Sequence, residues 1–392
     1  MSELKYTVKD FKSENEVRWC PGCGDYAIMN AVQRTMAGMG VPKEKFAVIS
    51  GIGCSSRFPY YMNTFGFHTI HGRAAAVASG VKLANPELSV WVITGDGDAM
   101  AIGGNHFIHT IRRNIDLNVV LFNNRIYGLT KGQYSPTSDR GFKSKTSPFG
   151  TIEDPFVPGQ LVIGARGTFY ARTIDNNLKL SQSVFQQSAD HKGTSIVEVL
   201  QNCVIYNSGV HKAITDPEHR ADRQLILEHG KPMLFGAENE KGLIMERGKL
   251  KVAKVGENGV TEDDILVHDA HEADPSLHLS LINMSLPDFP VAFGVVRSVA
   301  APAYDIEMVN QIEQVQETRK VKSMDELLST GNTWEVSGKE NGNSKSEECP
   351  MVEDIFNPDK NTKFKEGDAR RWIIFKDGKC LGRIAAFYDF DY

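Results

Sequence analysis

Two short stretches carry oxygen ligands suited to a phosphate-bound cation. GDGD runs from Gly95 to Asp98, and NN follows at Asn123 and Asn124. Glycines let a backbone approach a phosphate closely, and a helix opening nearby offers it unpaired N–H groups. A diphosphate at neutral pH needs a divalent cation, and Mg²⁺ takes hard oxygen ligands in an octahedron. Asp96 offers a carboxylate oxygen, Asn124 an amide oxygen, and Ile126 its backbone carbonyl. Either stretch alone also fits an ordinary turn after a strand. Together, each behind an apolar run, they point to one cation–diphosphate site.

The cysteines form a second constellation. There are six: Cys20, Cys23, Cys54, Cys203, Cys349 and Cys380. In a reducing compartment they need a reason other than disulfides. Cys20 and Cys23 make a CxxC, while Cys54 and Cys203 lie far apart in sequence near apparent strand ends. Four thiolates satisfy Zn²⁺ as well as a [4Fe-4S] cluster, and a redox pair with two core cysteines is a further alternative. A helix start after Cys23 is expected to favour its thiolate. A metal beside a cofactor crevice favours the cluster, because zinc carries no electrons. Cys349 and Cys380 are assigned no role.

These residues need a frame, and the apolar pattern supplies one. GDYAIMNAVQRTMAGM, from Gly24 to Met39, reads as an amphipathic helix stopped by Gly40. FAVIS feeds GIGC, VWVIT feeds GDGD, and NVVLF feeds NN, each an apolar run fit for a buried parallel strand. Helices are expected at Gly72 to Leu83, Gly104 to Arg113 and Leu180 to His191, with SIVEVL as a later strand ending at QNCVIYN. The α/β rhythm is expected to resume at LVIGARG. Tyr127 to Pro158 reads as a long ordered loop, a kind that often carries function. Strand, loop, helix, strand is an open α/β pattern with a mostly parallel sheet flanked by helices. Ligand sites in such sheets lie beyond the carboxyl ends of the strands, so GIGC, GDGD and NN are expected in one crevice.

The predicted divisions are a core over 1–210, a part with a small β excursion and a docking segment (SLPDFPVAFGVVRSV) over 211–330, a polar linker over 331–350, and a hairpin-like extension over 351–392. The chain has 392 residues, 41% hydrophobic and 24% charged, with a net charge of -5. That balance suits a globular protein and argues against nucleic acid as partner. No apolar run is long enough to span a bilayer and the start has no signal-peptide pattern, so the cytoplasm is the expected compartment. No GxGxxG nicotinamide fingerprint follows the expected strands.

WCPGCG (Trp19–Gly24), GIGCS (Gly51–Ser55), HGRAAAVASG (His71–Gly80), GDGDAMAIGGNHFIHTIRRN and NNRIYGLTKGQYSPTS resemble the β subunits of 2-oxoacid:ferredoxin oxidoreductases, and GDGD with NN matches the thiamine-diphosphate motif. QNCVIYN and GLTKGQYSPTS look closer to the 2-oxoglutarate members than to the pyruvate members. The resemblance implies the diphosphate-binding form of the thiamine-diphosphate fold, with a C-terminal extension. It implies a [4Fe-4S] cluster on Cys20, Cys23, Cys54 and Cys203, and Mg²⁺ on Asp96, Asn124 and Ile126. It places Ser55, His71, Arg73, Gly95, Gly97 and Asp98 against thiamine diphosphate, with the glycine and aspartate at 97 and 98 touching the diphosphate. His71 and Lys131 become candidate catalytic residues, Lys131 through the distal carboxylate of a 2-oxoacid. The implied reaction is oxidative decarboxylation of 2-oxoglutarate with coenzyme A, giving succinyl-CoA and CO₂, with electrons leaving to ferredoxin or a similar low-potential carrier. Thiamine activation also needs a glutamate on the pyrimidine-binding domain, which this chain lacks, so a partner α subunit is expected, as two α and two β chains. Alternatives are the same reaction on pyruvate or another 2-oxoacid, a non-oxidative thiamine enzyme, and a structural Cys₄ zinc protein.

Overall fold

The computed structural model describes residues 5–329, 370–376 and 379–386. Two compact units divide the chain, Met1–Asn310 and Gln311–Tyr392. The expected division at residue 210 falls inside the first unit. The polar stretch 331–350, with Cys349, lies outside the described residues.

In chain order the first unit contains α1 (Asp25–Gly38), β1 (Phe46–Ser50), β2 (Phe65–His68), α2 (Ala74–Ala84), β3 (Ser89–Gly95), α3 (Asp96–Met100), α4 (Gly104–Arg113), β4 (Asn118–Asn123), α5 (Pro158–Gly164), β5 (Phe169–Ile174), α6 (Leu178–Asp190), β6 (Ser195–Leu200), β7 (Gln224–Leu227), β8 (Leu234–Phe235), β9 (Lys241–Glu246), β10 (Lys249–Lys254) and β11 (Val291–Ser298). Eight strands form one sheet in the order β2-β1-β3-β4-β6-β5-β11-β7. Its pairings are parallel except that of β11 with β5. Every residue of β1, β4, β5 and β6 is buried, as a parallel sheet covered on both faces requires.

Alternation along each strand divides the core between the two faces. Val90 and Val92 join Ile49, Val119 and Leu121 on one side, against Ala78, Phe107 and Ile111 of α2 and α4. Trp91 and Ile93 join Val48, Val120, Phe122 and Val197 on the other, against Ile28, Val32 and Phe185 of α1 and α6. Each such aliphatic side chain contributes about 1.5–3 kcal/mol when fully buried. Shifting a strand's register by one residue would exchange the two sets, so the core fixes where each strand ends.

Two segments differ from the sequence expectation. LVIG is the last part of α5, which starts with Pro158 in its first turn; Pro suits that position because its missing N–H has no helical partner there. The strand is the following FYARTI, β5. The run expected to dock elsewhere is β11, a buried strand between β5 and β7. Its prolines, Pro287 and Pro290, precede the strand and break nothing inside it.

Beyond the main sheet, β8, β9 and β10 form an antiparallel sheet in the order β10-β9-β8. Its β9–β10 turn uses Arg247 and Gly248, both at positive φ, the geometry of a tight hairpin. In the second unit, β12 (Arg370–Lys376) and β13 (Lys379–Ala386) pair antiparallel with a register shift between Ile374 and Phe375. Asp377 and Gly378, between them, lie outside the described residues, and so does the turn expected there.

Candidate active site

The sheet order sets four functional turns side by side. β1, β3, β4 and β6 are neighbours, and they run directly into GIGC, GDGD, NN and QNC. Their carboxyl ends are level: Gly95 is opposite Phe122, and Asn123 is opposite Leu200. The expected crevice therefore has its cation candidates in the middle and Cys54 and Cys203 on the flanking strands.

Asp96 opens α3 directly after β3 and is 2% exposed. Burial pushes its carboxyl up, and hydrogen bonds from Ser135 and Thr137 pull part of the way back. Ser135 Oγ donates to Asp96 Oδ2 at 2.5 Å, and Thr137 Oγ1 reaches the same oxygen. Among the described residues no cationic side chain pairs with it. A buried carboxylate met only by neutral donors is a hard-oxygen ligand without a counter-charge, which a divalent cation fits. Asn124 follows β4 and is half-buried; its Oδ1 accepts from Ile126 N–H at 3.1 Å. Arg125 between them is at φ 56°, which turns the chain back on itself. Asp96 and Asn124 thus stand at the ends of neighbouring strands, and the oxygen donors of Asp96, Asn124 and Ile126 are of the kind Mg²⁺ takes.

Tyr127 covers the GDGD turn. Its hydroxyl donates to Gly97 O at 3.1 Å, and a Cβ on Gly97 would stand 2.1 Å from its ring. Only glycine permits that approach. Burial, with Asp96 and Asp98 nearby, raises the Tyr127 phenol to about 12.

The Asp98 carboxylate is held by protein donors. Its Oδ1 accepts from Ile52 N–H at 3.1 Å and Gly72 N–H at 2.7 Å, and its Oδ2 accepts from Thr94 Oγ1 at 2.8 Å. The carboxylate thus fastens the GIGC and HGR turns to the GDGD turn. Its side chain is committed to protein donors, which leaves its backbone for any phosphate.

Of the four cysteines, Cys20 is exposed and Cys23, Cys54 and Cys203 are partly buried. A Cβ on Gly128 would lie 3.5 Å from Cys203 Sγ and 3.6 Å from Cys54 Sγ. Cys54, Cys203 and Asp25 all act electrostatically on Cys23, and Cys20 and Cys203 act on Cys54. The thiolate expected at Cys23 is not what the environment favours. Burial first, and then the Asp25 carboxylate, raise its thiol, while the backbone N–H at the helix start lowers it too little to compensate. Cys54 is pushed up to about 12, again by burial before charge. Grouped thiols that oppose one another's ionisation are suited to a metal centre, which supplies the missing positive charge. As placed, no three His, Cys, Asp or Glu side chains among the described residues close on a single metal ion.

Ser55 is buried next to Gly95, whose Cβ would meet its Oγ at 3.5 Å. His71 is exposed in the turn before α2, and Arg73 NH1 reaches His106 Nε2. Lys131 is exposed at φ 77°, in the turn where its N–H bonds Gly128 O at 3.0 Å, with no ion pair among the described residues. Sequence reasoning missed Ser135, Thr137, Tyr127 and Glu198. The SPTS run behind NN was the available signal, because three hydroxyls in a proline-bearing loop seldom face a core without a buried acceptor.

A model of the thiamine pyrophosphate enzyme C-terminal TPP binding domain matches residues 51–199. The chain is 45% identical over 331 residues to the 2-oxoglutarate oxidoreductase subunit KorB of Mycobacterium tuberculosis, covering 84% of this chain and 88% of that protein. It is 44% identical over 199 residues to the 2-oxoacid:ferredoxin oxidoreductase 2 subunit beta of Aeropyrum pernix, covering 51% of this chain and 64% of that protein. A solved structure of 2-oxoglutarate:ferredoxin oxidoreductase from Magnetococcus marinus, with 2-oxoglutarate, coenzyme A and succinyl-CoA bound, aligns with TM-score 0.66 and 31% identity, over 84% of this chain and 96% of that one. The matched domain begins directly after β1 and runs into β6, so it holds the GIGC, GDGD and NN turns, and the match to the Mycobacterium protein extends well beyond it. On that shared frame and sequence, the chain belongs to the thiamine-diphosphate-dependent 2-oxoacid:ferredoxin oxidoreductases, as a β subunit.

Proposed function

We propose that this chain is the diphosphate-holding β subunit of a 2-oxoglutarate:ferredoxin oxidoreductase. The observation that carries the reading is the row of turns at β1, β3, β4 and β6, which sets buried Asp96 and half-buried Asn124 between Cys54 and Cys203. The substrate follows from the Mycobacterium and Magnetococcus relatives, whose names specify 2-oxoglutarate. The overall reaction converts 2-oxoglutarate, coenzyme A and two oxidised ferredoxins to succinyl-CoA, CO₂, a proton and two reduced ferredoxins.

Thiamine diphosphate would supply the electron sink for decarboxylation and a [4Fe-4S] cluster the one-electron path out. This chain's residues would do the holding. Asp96, Asn124 and the Ile126 carbonyl hold Mg²⁺ on the diphosphate. Tyr127 keeps water from the Gly97 turn, and Gly95, Gly97, Ser55, His71 and Arg73 line the cofactor. Cys20, Cys23, Cys54 and Cys203 hold the cluster. Lys131 meets the distal carboxylate, whose burial without a cation would be costly. A partner α subunit supplies the pyrimidine-binding domain, and ferredoxin or a similar carrier takes the electrons. No helix among the described residues is long and apolar enough to cross a membrane, and we place the complex in the cytoplasm.

The test is EPR on the anaerobically purified complex of this chain and its partner, given thiamine diphosphate, Mg²⁺ and coenzyme A. Reduced-cluster signals with 2-oxoglutarate and not with pyruvate support the proposal. Signals with pyruvate alone overturn the substrate. Silence with both, and no iron by analysis, overturns the oxidoreductase reading in favour of a zinc site.

A further inference from the structure

The hydrogen bonds beneath Asp96 continue past the loop hydroxyls. Thr137 Oγ1 lies 3.0 Å from Asn123 Oδ1, and Asn123 Nδ2 donates to Glu198 Oε1 at 2.7 Å. On its other oxygen Glu198 accepts from Arg172 Nε at 2.7 Å and from the Tyr170 hydroxyl. Every member is buried: Thr137 2%, Asn123 3%, Glu198 2%, Arg172 5% and Tyr170 0% exposed. Burial opposes the Glu198 charge, but Arg172 and the three donors outweigh it and hold the carboxyl below its ordinary value.

One asymmetry orders this chain of contacts. An ionised carboxylate only accepts, so Asn123 must turn its NH₂ to Glu198 and its oxygen to Thr137. Thr137 has one proton and three oxygens in reach: Asp96 Oδ2, Asn123 Oδ1 at 3.0 Å and, farther off at 3.2 Å, Ser135 Oγ, whose own proton goes to Asp96. Without a cation, the proton goes to the Asp96 carboxylate, the stronger acceptor. With a cation on Asp96, it can move to Asn123 Oδ1, and no buried polar group is left unpaired. An amide at 198 would let Asn123 flip and present NH₂ to Thr137. The Thr137 proton would then be confined to Asp96, in competition with the cation.

We propose that Glu198 is a positioning residue for the cation and diphosphate: by fixing the Asn123 amide it keeps a second acceptor open to Thr137, so that Asp96 is released to a divalent cation. This deepens the reading of Asp96 as a cation ligand and rests on it. Glu198 touches neither ligand nor cation and acts through Asn123 and Thr137. It also balances Arg172, which would otherwise leave an unpaired positive charge in the interior two residues away along the same network.

The test is Mn²⁺ binding to the complex of this chain with its partner subunit, with thiamine diphosphate in excess, read from the EPR signal of free Mn²⁺. Glu198→Gln should weaken Mn²⁺ binding about tenfold, the scale on which outer hydrogen-bond partners act on metal affinity. In a Thr137→Val background the same substitution should have no further effect, because the relay is already cut. A general loss of stability would act alike in both backgrounds. Equal affinity in wild type and Glu198→Gln, or the same loss with and without Thr137, overturns the proposal. Should Glu198→Gln fail to fold, Asn123→Ala breaks the same link with the ion pair intact. Wild-type Mn²⁺ affinity in Asn123→Ala also overturns it. A wild-type complex that binds no Mn²⁺ sinks the cation-site reading itself, and the proposal with it.

Discussion

Asp98 Oδ1 accepts the backbone N–H of Gly72 at 2.7 Å, and this contact fastens the turn before α2 to the turn after β3. The same oxygen takes Ile52 N–H from the turn after β1. A single carboxylate thus sets the spacing of three glycine-rich turns that sequence places far apart.

Asp98→Asn and Asp98→Ala should therefore behave differently. The asparagine keeps an oxygen for Ile52 and Gly72, and Thr94 can reverse its hydroxyl to accept from the new NH₂. Alanine strands two backbone donors, at about 1–3 kcal/mol each when buried. Urea denaturation should show Asp98→Ala destabilised by at least about 2 kcal/mol and Asp98→Asn much less. Thiamine diphosphate should still bind Asp98→Asn. Loss of binding with stability intact would place the Asp98 charge against the cofactor after all.

Asp96→Asn has the opposite logic. Asp96 is buried without a cationic partner, and burial raises its carboxyl. An amide removes the charge and can still accept from Ser135 and Thr137. The ligand-free protein should melt no lower than wild type, because an uncompensated buried charge has been removed. The rise in melting temperature that Mg²⁺ with thiamine diphosphate gives the wild-type complex should vanish. Differential scanning fluorimetry with and without both ligands measures the two effects separately.

Arg172 and Glu198 are register partners on β5 and β6, with Nε 2.7 Å from Oε2 and both side chains buried. Breaking such a pair from one side typically costs about 3–5 kcal/mol. Arg172→Met should lose about that much in urea denaturation. A loss under about 1 kcal/mol, well below that range, would mean that Tyr170 and Asn123 suffice to hold the Glu198 charge.

The two strands of this pair were not equally legible in the sequence. β1, β3, β4 and β6 announce themselves as apolar runs followed by glycine or asparagine, and with them came the placement of Asp96, Asn124 and Cys54. FYARTI was passed over because LVIGARG, just before it, is the more apolar run and drew the assignment; the charge on Arg172 is no obstacle in itself, since SIVEVL carries Glu198 and still reads as a strand. β11 was hidden by its flanking prolines. The Ser135 and Thr137 contacts come from a loop without periodicity, where only the fold decides which hydroxyl meets which carboxylate. The Cys23 thiol was misjudged because a helix start is visible in sequence and the burial that outweighs it is not.

His191 gives a pH dependence away from the candidate site. Its Nε2 lies 2.9 Å from Thr168 Oγ1, and burial lowers its pKa from 6.5 to about 4. Native His191 stays neutral while the unfolded chain takes up a proton below pH 6.5, so its contribution is complete above that pH. It is lost as the pH falls toward 4. Between pH 6.5 and 5 this amounts to roughly 2 kcal/mol. His191→Gln should flatten the stability profile in that window by about this amount. An unchanged slope would show that His191 is protonated in the native state.

Gly128 offers a test of the cysteine cluster that leaves every cysteine in place. Its backbone is not in the left-handed region, so alanine needs no strained φ. Its Cβ would stand 3.5 Å and 3.6 Å from the sulfurs of Cys203 and Cys54, ordinary contact distances. The metal-free chain should therefore fold and melt as wild type. A group bonded to both sulfurs must share that space, and the added methyl stands in its way. Gly128→Ala should lower the iron and sulfide content of the anaerobically purified complex, or alter the EPR line shape of its reduced cluster. Zinc, which is far smaller than a four-iron cluster, should be tolerated beside the same methyl. Full iron content with an unchanged spectrum would place the cluster away from Gly128 and break the grouping of Cys54 with Cys203.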